Sequence, residues 1–290
     1  MLKENENILQ DFLIAKELQG CSDATLEGYE FVTRKMLEGI DKDVIEITPT
    51  DLRSYLSNLT VCKVSLSSYQ KNLKVFFGWL IKEELITKNP FDNIPMPQCP
   101  TVFPKILSEA EINKLINVAK KSKRDLAVLL VLIDCGVRAS ELCQIELEDL
   151  DLSGRSILIK KGKGNKSRYV FFSDLTARAL NRYINSRPES FDNALFLSIT
   201  RKQNIDRATL RQIIKRLGDK AGITSQCSPH VLRHSCATLY IRGGGDIHSL
   251  QLLLGHTTTA MTSRYVHLVS ADIKQSHAKF SPVRSLRQNI

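Results

Sequence analysis

The residues best suited to chemistry lie near the C-terminal end of the chain. His230 and Arg233 stand three residues apart at the start of a predicted helix, so their side chains share one face near the positive end of the helix dipole. His256 directly follows the predicted end of the next helix, and Tyr265 lies nine residues further on. Imidazole, guanidinium and phenol groups at the ends of elements favour chemistry on a phosphate over packing in an apolar core.

Two helices are predicted to position these groups. Ser228 is a good N-cap for the first helix, and Pro229 suits its first position. The second helix is predicted over residues 246–254 and ends at Gly255, a residue type that favours a helix C-terminus. His256 is therefore expected at a helix end, where side chains are exposed.

The same stretch suggests metal binding as an alternative. Cys227, His230, His234 and Cys236 offer four zinc-type ligands within ten residues, and the two histidines have the i, i+4 spacing that zinc sites use. On one helix, however, Cys236 points away from His230, and the spacing matches no common zinc finger. We therefore predict neither a metal nor another cofactor.

Arg138 lies in a turn upstream that two packed helices should hold in place. A helix over residues 125–135 is apolar almost all round, which is typical of a buried helix. Gly136 ends it, and the next helix begins at Arg138. A surface ion pair with Glu141 is the alternative role for this arginine.

A basic hairpin follows. Residues 156–160 and 168–172 read as short strands, and residues 161–166 (KGKGNK) read as their turn. The cations around this tip could reach a nucleic-acid groove, or they could form a solvated basic turn; they are Lys161, Lys163, Lys166 and Arg168.

The first part of the chain reads as a separate helical domain. Its four helices are predicted over residues 8–18, 25–40, 49–59 and 65–86. On the last helix Lys71 and Lys74 could contact a DNA backbone, or they could belong to a solvated polar face. A proline-rich stretch separates this domain from a capping box at Ser108 that starts a new helix.

Charge and composition agree with a nucleic-acid partner inside the cell. The net charge is +10, and residues 1–100 hold 11 basic and 15 acidic residues against 30 and 16 in the remainder. A basic C-terminal part is typical of proteins that bind a polyanion. The seven cysteines suggest free thiols of a reducing compartment, and the longest apolar run, residues 126–133, is too short to span a membrane. We therefore expect a cytoplasmic protein.

Taken together, these residues resemble the tyrosine recombinase, or phage integrase, family. The resemblance covers residues ~105–270, and the local sequences that carry it are CGVRASEL, GKGNKSR, HVLRHSCAT, LLGH and SRYVHL. Xer-like resolvases and TnpI-like transposon recombinases are the similar members. The resemblance implies a mainly α fold with a small antiparallel sheet: an all-α, SAM-like core-binding domain over 1–90, a linker over 91–105, and an α+β catalytic domain over 106–290 with a tail from about 270.

The resemblance also implies a role for each position. Tyr265 would be the nucleophile that forms a 3′-phosphotyrosine, because a phenolate can store the energy of the broken phosphodiester bond. Arg138 and Arg233 would clamp the phosphate oxygens. Lys163 would protonate the leaving 5′ oxygen, with Lys160, Lys161 and Lys166 as alternatives. His230 would be the general base or a hydrogen-bond donor to the phosphate. His256 would donate a hydrogen bond to the phosphate, and Glu141 would support the site.

The resemblance implies an assembly as well. A homotetramer on two specific double-stranded DNA sites would exchange strands through a Holliday junction, with or without accessory proteins, and the tail would pack on a neighbouring protomer. The alternatives are a DNA-binding accessory factor of the same fold without catalysis and a type IB topoisomerase. The DNA sequence recognised, and the choice between integration, excision and resolution, stay open.

Overall fold

The protein forms two compact units, Met1–Val102 and Phe103–Ile290. The computed structural model describes residues 2–99, 104–160, 167–200 and 202–255. The predicted hairpin tip at 161–166 and everything from His256 onward lie outside the described residues. Within the described residues the fold is mainly helical with one three-stranded antiparallel sheet, as the sequence predicted.

Over residues 2–99 the first unit has four α-helices: α1 (Lys3–Leu18), α2 (Asp23–Ile40), α3 (Pro49–Asn58) and α4 (Lys63–Lys82). Helix α3 begins with a capping box in which Thr48 and Asp51 bind each other's backbone N–H groups. Helix α4 ends four residues earlier than the periodicity predicts. Glu84 adopts a left-handed φ of 59°, and the Leu85 N–H closes the helix on the Leu80 carbonyl at 2.9 Å. That closure usually uses glycine, so no local sequence signal marks it here.

Aromatic rings dominate the core of the first unit. The Phe12 ring packs edge-on against Phe76 at 5.1 Å and lies 5.5 Å from Trp79. Phe91 is fully buried in the same core and lies 5.6 Å from Phe77, although it falls within the segment predicted as a linker. Truncating one of these buried rings to alanine should cost about 3–5 kcal/mol.

The described part of the second unit surrounds one nearly apolar helix with six others and the sheet. The helices are α5 (Glu109–Ala119), α6 (Lys123–Cys135), α7 (Ala139–Cys143), α8 (Asp174–Ile184), α9 (Arg207–Lys220), α10 (Pro229–Arg242) and α11 (Ile247–Leu254). Nine of the thirteen residues of α6 are buried, as its all-round apolar sequence predicted. The predicted caps are present at Ser108 and Ser228, whose side chains accept hydrogen bonds from their own first turns. Asp206 caps α9 in the same way.

The sheet has strand order β1 (Leu150–Asp151), β2 (Ser156–Ile159), β3 (Arg168–Phe171). The predicted hairpin pairs Ile157 with Val170, both fully buried, and Leu158 with the outward-facing Tyr169. Strand β1 was not predicted, because two residues are too short to show an alternating pattern. The register places Arg168 at the end of the hairpin that faces the tip, opposite Ile159.

Among the described helices, none combines the length and the apolar character that crossing a membrane would require.

Candidate active site

The candidate site is built on the C-terminal end of α11. The last carbonyls of a helix have no partners within the helix and carry its negative end. Here three successive carbonyls each accept a hydrogen bond from a different arginine. Arg168 Nε reaches Leu253 O at 3.0 Å, Arg233 Nη2 reaches Leu254 O at 2.7 Å, and Arg138 Nη2 reaches Gly255 O at 3.0 Å. One helix end thus collects three guanidinium groups.

Arg138 is the N-cap residue of α7, in the turn where it was predicted. Its backbone N–H donates to Glu141 Oε2 at 2.8 Å and its Nη1 donates to Glu141 Oε1 at 2.6 Å. The Arg138 side chain keeps 26% of its surface exposed. The predicted alternative of an ion pair with Glu141 is therefore present, and it coexists with partial exposure of the guanidinium.

Arg233 lies deeper, with only 5% of its surface exposed. Besides Leu254 O, its guanidinium donates from Nη1 to Gly136 O at 2.6 Å. The end of α6, the first turns of α10 and the end of α11 therefore meet at this one side chain. The structure brings Arg138 and Arg233 together through adjacent carbonyls of α11, although they are 95 residues apart in sequence.

Glu141 joins two of the arginines. Arg168 donates from Nη1 to Glu141 Oε1 at 2.9 Å and from Nη2 to Glu141 Oε2 at 2.8 Å, a bidentate pair. Burial alone would raise the pKa of Glu141, but the hydrogen bonds and charge of Arg168, together with the contacts from Arg138, lower it to about 2. The carboxylate is therefore ionised at neutral pH and shared between two cations.

His230 lies in the first turn of α10 and contacts a second histidine. Its Nε2 lies 2.8 Å from His234 Nε2, and the two rings meet edge to face with centroids 4.1 Å apart. Partial burial, with a smaller effect from the nearby Arg233 charge, lowers the pKa of His230 from its ordinary value. A neutral imidazole at physiological pH can accept a proton, as a general base must.

The predicted cations differ in where they lie. Lys71 is exposed and Lys74 is half-buried on α4, both compatible with a surface contact. Arg168 is 13% exposed, and its three guanidinium nitrogens donate to Glu141 and Leu253. The geometry therefore points away from the predicted DNA contact for Arg168. Its place in strand β3, next to a basic turn, carries no sequence signal of this inward orientation.

Lys160, one of the alternative proton donors, is held by carboxylates. Its Nζ lies 2.9 Å from Glu146, 2.6 Å from Glu148 and 2.9 Å from Asp149. The hydrogen bonds that Lys160 donates to Glu148, then to Asp149 and Glu146, raise its pKa well above the ordinary lysine value. A lysine bound in this way holds its proton more tightly than a free lysine. Lys161, Lys163 and Lys166, like His256 and Tyr265, lie outside the described residues.

The Cys–His set considered for zinc is not assembled. Cys236 is buried, its Sγ within 3.8 Å of the Asp134 carbonyl, and Cys227 faces Gly218 of α9. Within the described ranges, the acidic cluster around Lys160 is the one group of three ligand-type residues close enough to share an ion, and Lys160 Nζ already binds all three carboxylates.

Two family models and a curated relative match most of the chain. Residues 105–271 match the model described as "Phage integrase family", and residues 8–87 match "Phage integrase, N-terminal SAM-like domain". A tyrosine recombinase of Pseudothermotoga lettingae is 31% identical, with 98% of this chain and 99% of the relative covered.

Solved structures give the same fold. A crystal structure of XerA recombinase is 32% identical with a TM-score of 0.57, covering 96% of this chain and 99% of that one. XerH bound to palindromic difH in a post-cleavage complex is 22% identical with a TM-score of 0.75, covering 91% and 82%. The chain therefore belongs to the phage integrase family of DNA strand-exchange enzymes and is a tyrosine recombinase of the Xer type.

Proposed function

We propose that this recombinase cleaves and rejoins DNA at specific sites with Arg138, Arg233 and His230 arranged around one phosphate. The observation that carries the proposal is the meeting of Arg138 and Arg233 at adjacent carbonyls of α11, immediately before His256. Two guanidinium groups at one point can bind the non-bridging oxygens of a phosphodiester and stabilise the charge of the transition state.

The proposed reaction uses the phenol of Tyr265 as nucleophile. His230 takes the phenol proton, the tyrosine oxygen forms a bond to phosphorus, and the bond from phosphorus to the 5′ oxygen breaks. Lys163 gives a proton to that leaving oxygen, and His256 donates a hydrogen bond to the phosphate. Attack of a 5′ hydroxyl from the partner strand reverses these steps and rejoins the DNA. Side chains supply the positive charges that these steps need, so the proposed reaction is metal-independent.

The proposed assembly is a homotetramer on two double-stranded sites. One pair of protomers cuts first, the strands exchange into a Holliday junction, and the other pair completes the exchange. Residues after about 270 would bind the neighbouring protomer. The domain division proposed for this role is a core-binding domain over 1–90, a linker over 91–105 and a catalytic domain over 106–290. The enzyme would act in the cytoplasm, with or without accessory proteins.

A nicked suicide substrate tests the proposal. A library of duplexes with randomised inverted repeats, each nicked so that the cut strand diffuses away, is incubated with the protein, and covalent complexes are selected under denaturing conditions. We expect covalent adducts that enrich one repeat sequence, and we expect Arg138→Ala to reduce their rate of formation by about 10²–10³-fold. Retention of the DNA without any covalent adduct would instead indicate a non-catalytic DNA-binding protein.

A further inference from the structure

Arg168 has a position that the proposed reaction does not use. It is largely buried, lies on strand β3, and holds both Glu141 and the end of α11. Its three guanidinium nitrogens donate hydrogen bonds of 2.8–3.0 Å to Glu141 on α7 and to the Leu253 carbonyl on α11. An arginine held in a fixed fork in this way is pre-organised, and lysine cannot reproduce the arrangement.

The charges explain what this arrangement achieves. Glu141 is nearly buried and ionised, with 5% of its side chain exposed, and it binds Nη1 of Arg138. Alone with Arg138 it would form a neutral pair and compete with a phosphate for that guanidinium. Arg168 occupies both carboxylate oxygens and adds one positive charge, so the three groups together carry a net charge of +1. The positive charge of Arg138 is then available to a phosphate.

A second observation supports a built arrangement. Gly255, with φ of 62°, packs against the Arg168 guanidinium so closely that a Cβ at this position would lie 2.9 Å from Nη1 and 3.0 Å from Cζ. Gly255 also supplies the carbonyl that accepts from Arg138 Nη2. The same residue therefore makes room for Arg168 and fixes Arg138, immediately before His256 in the chain.

We infer that Arg168 is a positioning residue: it occupies Glu141 and the end of α11, and thereby orients Arg138 and keeps its charge available for the DNA phosphate. The inference rests on the proposed function, because it assigns Arg168 a role in that reaction. It replaces the direct DNA contact that the sequence suggested for this residue.

Single-turnover cleavage of the selected suicide substrate at saturating DNA tests the inference. We expect Arg168→Gln to slow covalent adduct formation by about 10–100-fold, the scale of a displaced catalytic group, with the DNA dissociation constant and its salt dependence unchanged. Arg168→Lys, which keeps the charge but not the fork, should recover part of the rate. The matched control is Arg155→Gln, since Arg155 lies beside β2 with 52% of its side chain exposed and pairs at the surface with Asp174.

A double variant separates positioning from DNA binding. Without Glu141's charge nothing competes for Arg138, so Glu141→Gln combined with Arg168→Gln should cleave no more slowly than Arg168→Gln alone. If the rate reductions of Glu141→Gln and Arg168→Gln multiplied in the double variant, the inference would be overturned. It would also be overturned, in favour of a direct DNA contact, if Arg168→Gln lowered DNA affinity and changed its salt dependence. Cleavage by Arg168→Gln at the wild-type rate would overturn the inference as well.

Hydrogen exchange distinguishes failure of this inference from failure of the proposed function. Arg168→Gln should speed amide exchange in residues 247–255 of the protein without DNA, whereas Arg155→Gln should not. If the wild-type protein formed no covalent adduct, the proposed function would be wrong. If amide exchange in residues 247–255 were unchanged in Arg168→Gln, the inference that Arg168 stabilises the end of α11 would be wrong, whatever the result for the adduct.

Discussion

At the scale of single residues, Glu141 connects the parts of the site that sequence alone shows as separate. It accepts from the backbone and side chain of Arg138 and from both terminal nitrogens of Arg168. A buried carboxylate is stable only when its oxygens are bound in this way, because an unpaired buried charge is costly. Its protonation should therefore be visible in the stability of the protein.

Stability should depend on pH through Glu141. Its pKa is about 2 in the folded protein against 4.5 ordinarily, so the ionised form contributes stability that is fully present above pH 4.5 and is lost as pH falls from 4.5 towards 2. Glu141→Gln should be less stable than wild type at pH 7. As the pH falls from 4.5 towards 2, the difference in free energy of unfolding between wild type and Glu141→Gln should shrink by up to about 1.4 kcal/mol per pH unit. Denaturant unfolding at several pH values measures this difference. A difference that stays constant below pH 4.5 would contradict the prediction.

The pH dependence of cleavage should report on His230. Its pKa is lowered from 6.5, so the neutral base persists to lower pH than in an ordinary histidine. The rate of adduct formation should fall on acidification with an apparent pKa below 6.5. His230→Gln should form the adduct slowly and should not show this acidic fall in rate. His234→Gln should shift the pH of the acidic fall, since the two Nε2 atoms lie 2.8 Å apart. An unchanged profile in His230→Gln would exclude it as the base.

Sequence reasoning found the residue types of the site more easily than their orientation. Arg138, His230 and Arg233 were identifiable because guanidinium and imidazole groups at element ends are unusual in a core. The orientation of Arg168 depends on which groups α7 and α11 bring near it, and that information comes from tertiary packing. The i, i+4 spacing did place His230 and His234 on one face of α10, but it suggested zinc rather than a contact between the two rings.

At the scale of elements, Gly136 is where α6, α10 and α11 meet. It ends α6 with a left-handed φ of 59°, and a Cβ there would lie 2.8 Å from Leu254 Cδ2 and 3.0 Å from Cys236 Sγ. Its carbonyl accepts from Arg233 at 2.6 Å. The position thus requires glycine for its conformation and for its packing, and the packing fixes one of the two proposed clamp residues.

Substitution of Gly136 should therefore affect both stability and cleavage. Gly136→Ala should lose about 1–2 kcal/mol for the left-handed conformation and about 1–3 kcal/mol more for overpacking. Gly222→Ala is the matched control, since Gly222 has φ of 64° with nothing within 4 Å of its added Cβ, and it should show the first loss alone with normal cleavage. Thermal or denaturant unfolding measures the loss of stability in each variant. Equal losses in Gly136→Ala and Gly222→Ala would contradict the close packing at Gly136.

Most elements were predictable because their signals are local. The capping box at Ser108, the apolar run of α6 and the glycine after it fixed the positions of α5 and α6 to within a few residues. The end of α4 and strand β1 were missed for the opposite reason. Glu84 takes a conformation that glycine normally supplies, and two residues of strand exist only through pairing with β2.

At the scale of the whole molecule, the basic and acidic residues divide unevenly between the two parts of the chain. The first unit has few basic residues to offer a DNA backbone, and Lys71 and Lys74 lie together on α4, the longest described helix of that unit. If that face contacts phosphates, its contribution should appear in affinity and in salt dependence rather than in chemistry.

Removing these two lysines should weaken DNA binding without slowing cleavage of bound DNA. Lys71→Ala with Lys74→Ala should reduce the salt slope of log affinity by about 0.9 for each DNA phosphate that the variant no longer neutralises. Adduct formation at saturating DNA should be unchanged. Lys3→Ala, on α1 of the same unit, is the control. Titrations at several salt concentrations measure the slope, and an unchanged slope would exclude binding of phosphates by the α4 face.

The most direct test identifies the residue that carries the DNA. The covalent complex from the suicide substrate is digested with protease and nuclease, and the modified peptide is sequenced by mass spectrometry. A nucleotide attached to Tyr265, with no adduct in Tyr265→Phe, is the predicted result. Attachment to another tyrosine such as Tyr240, or an adduct that persists in Tyr265→Phe, would contradict the proposed reaction.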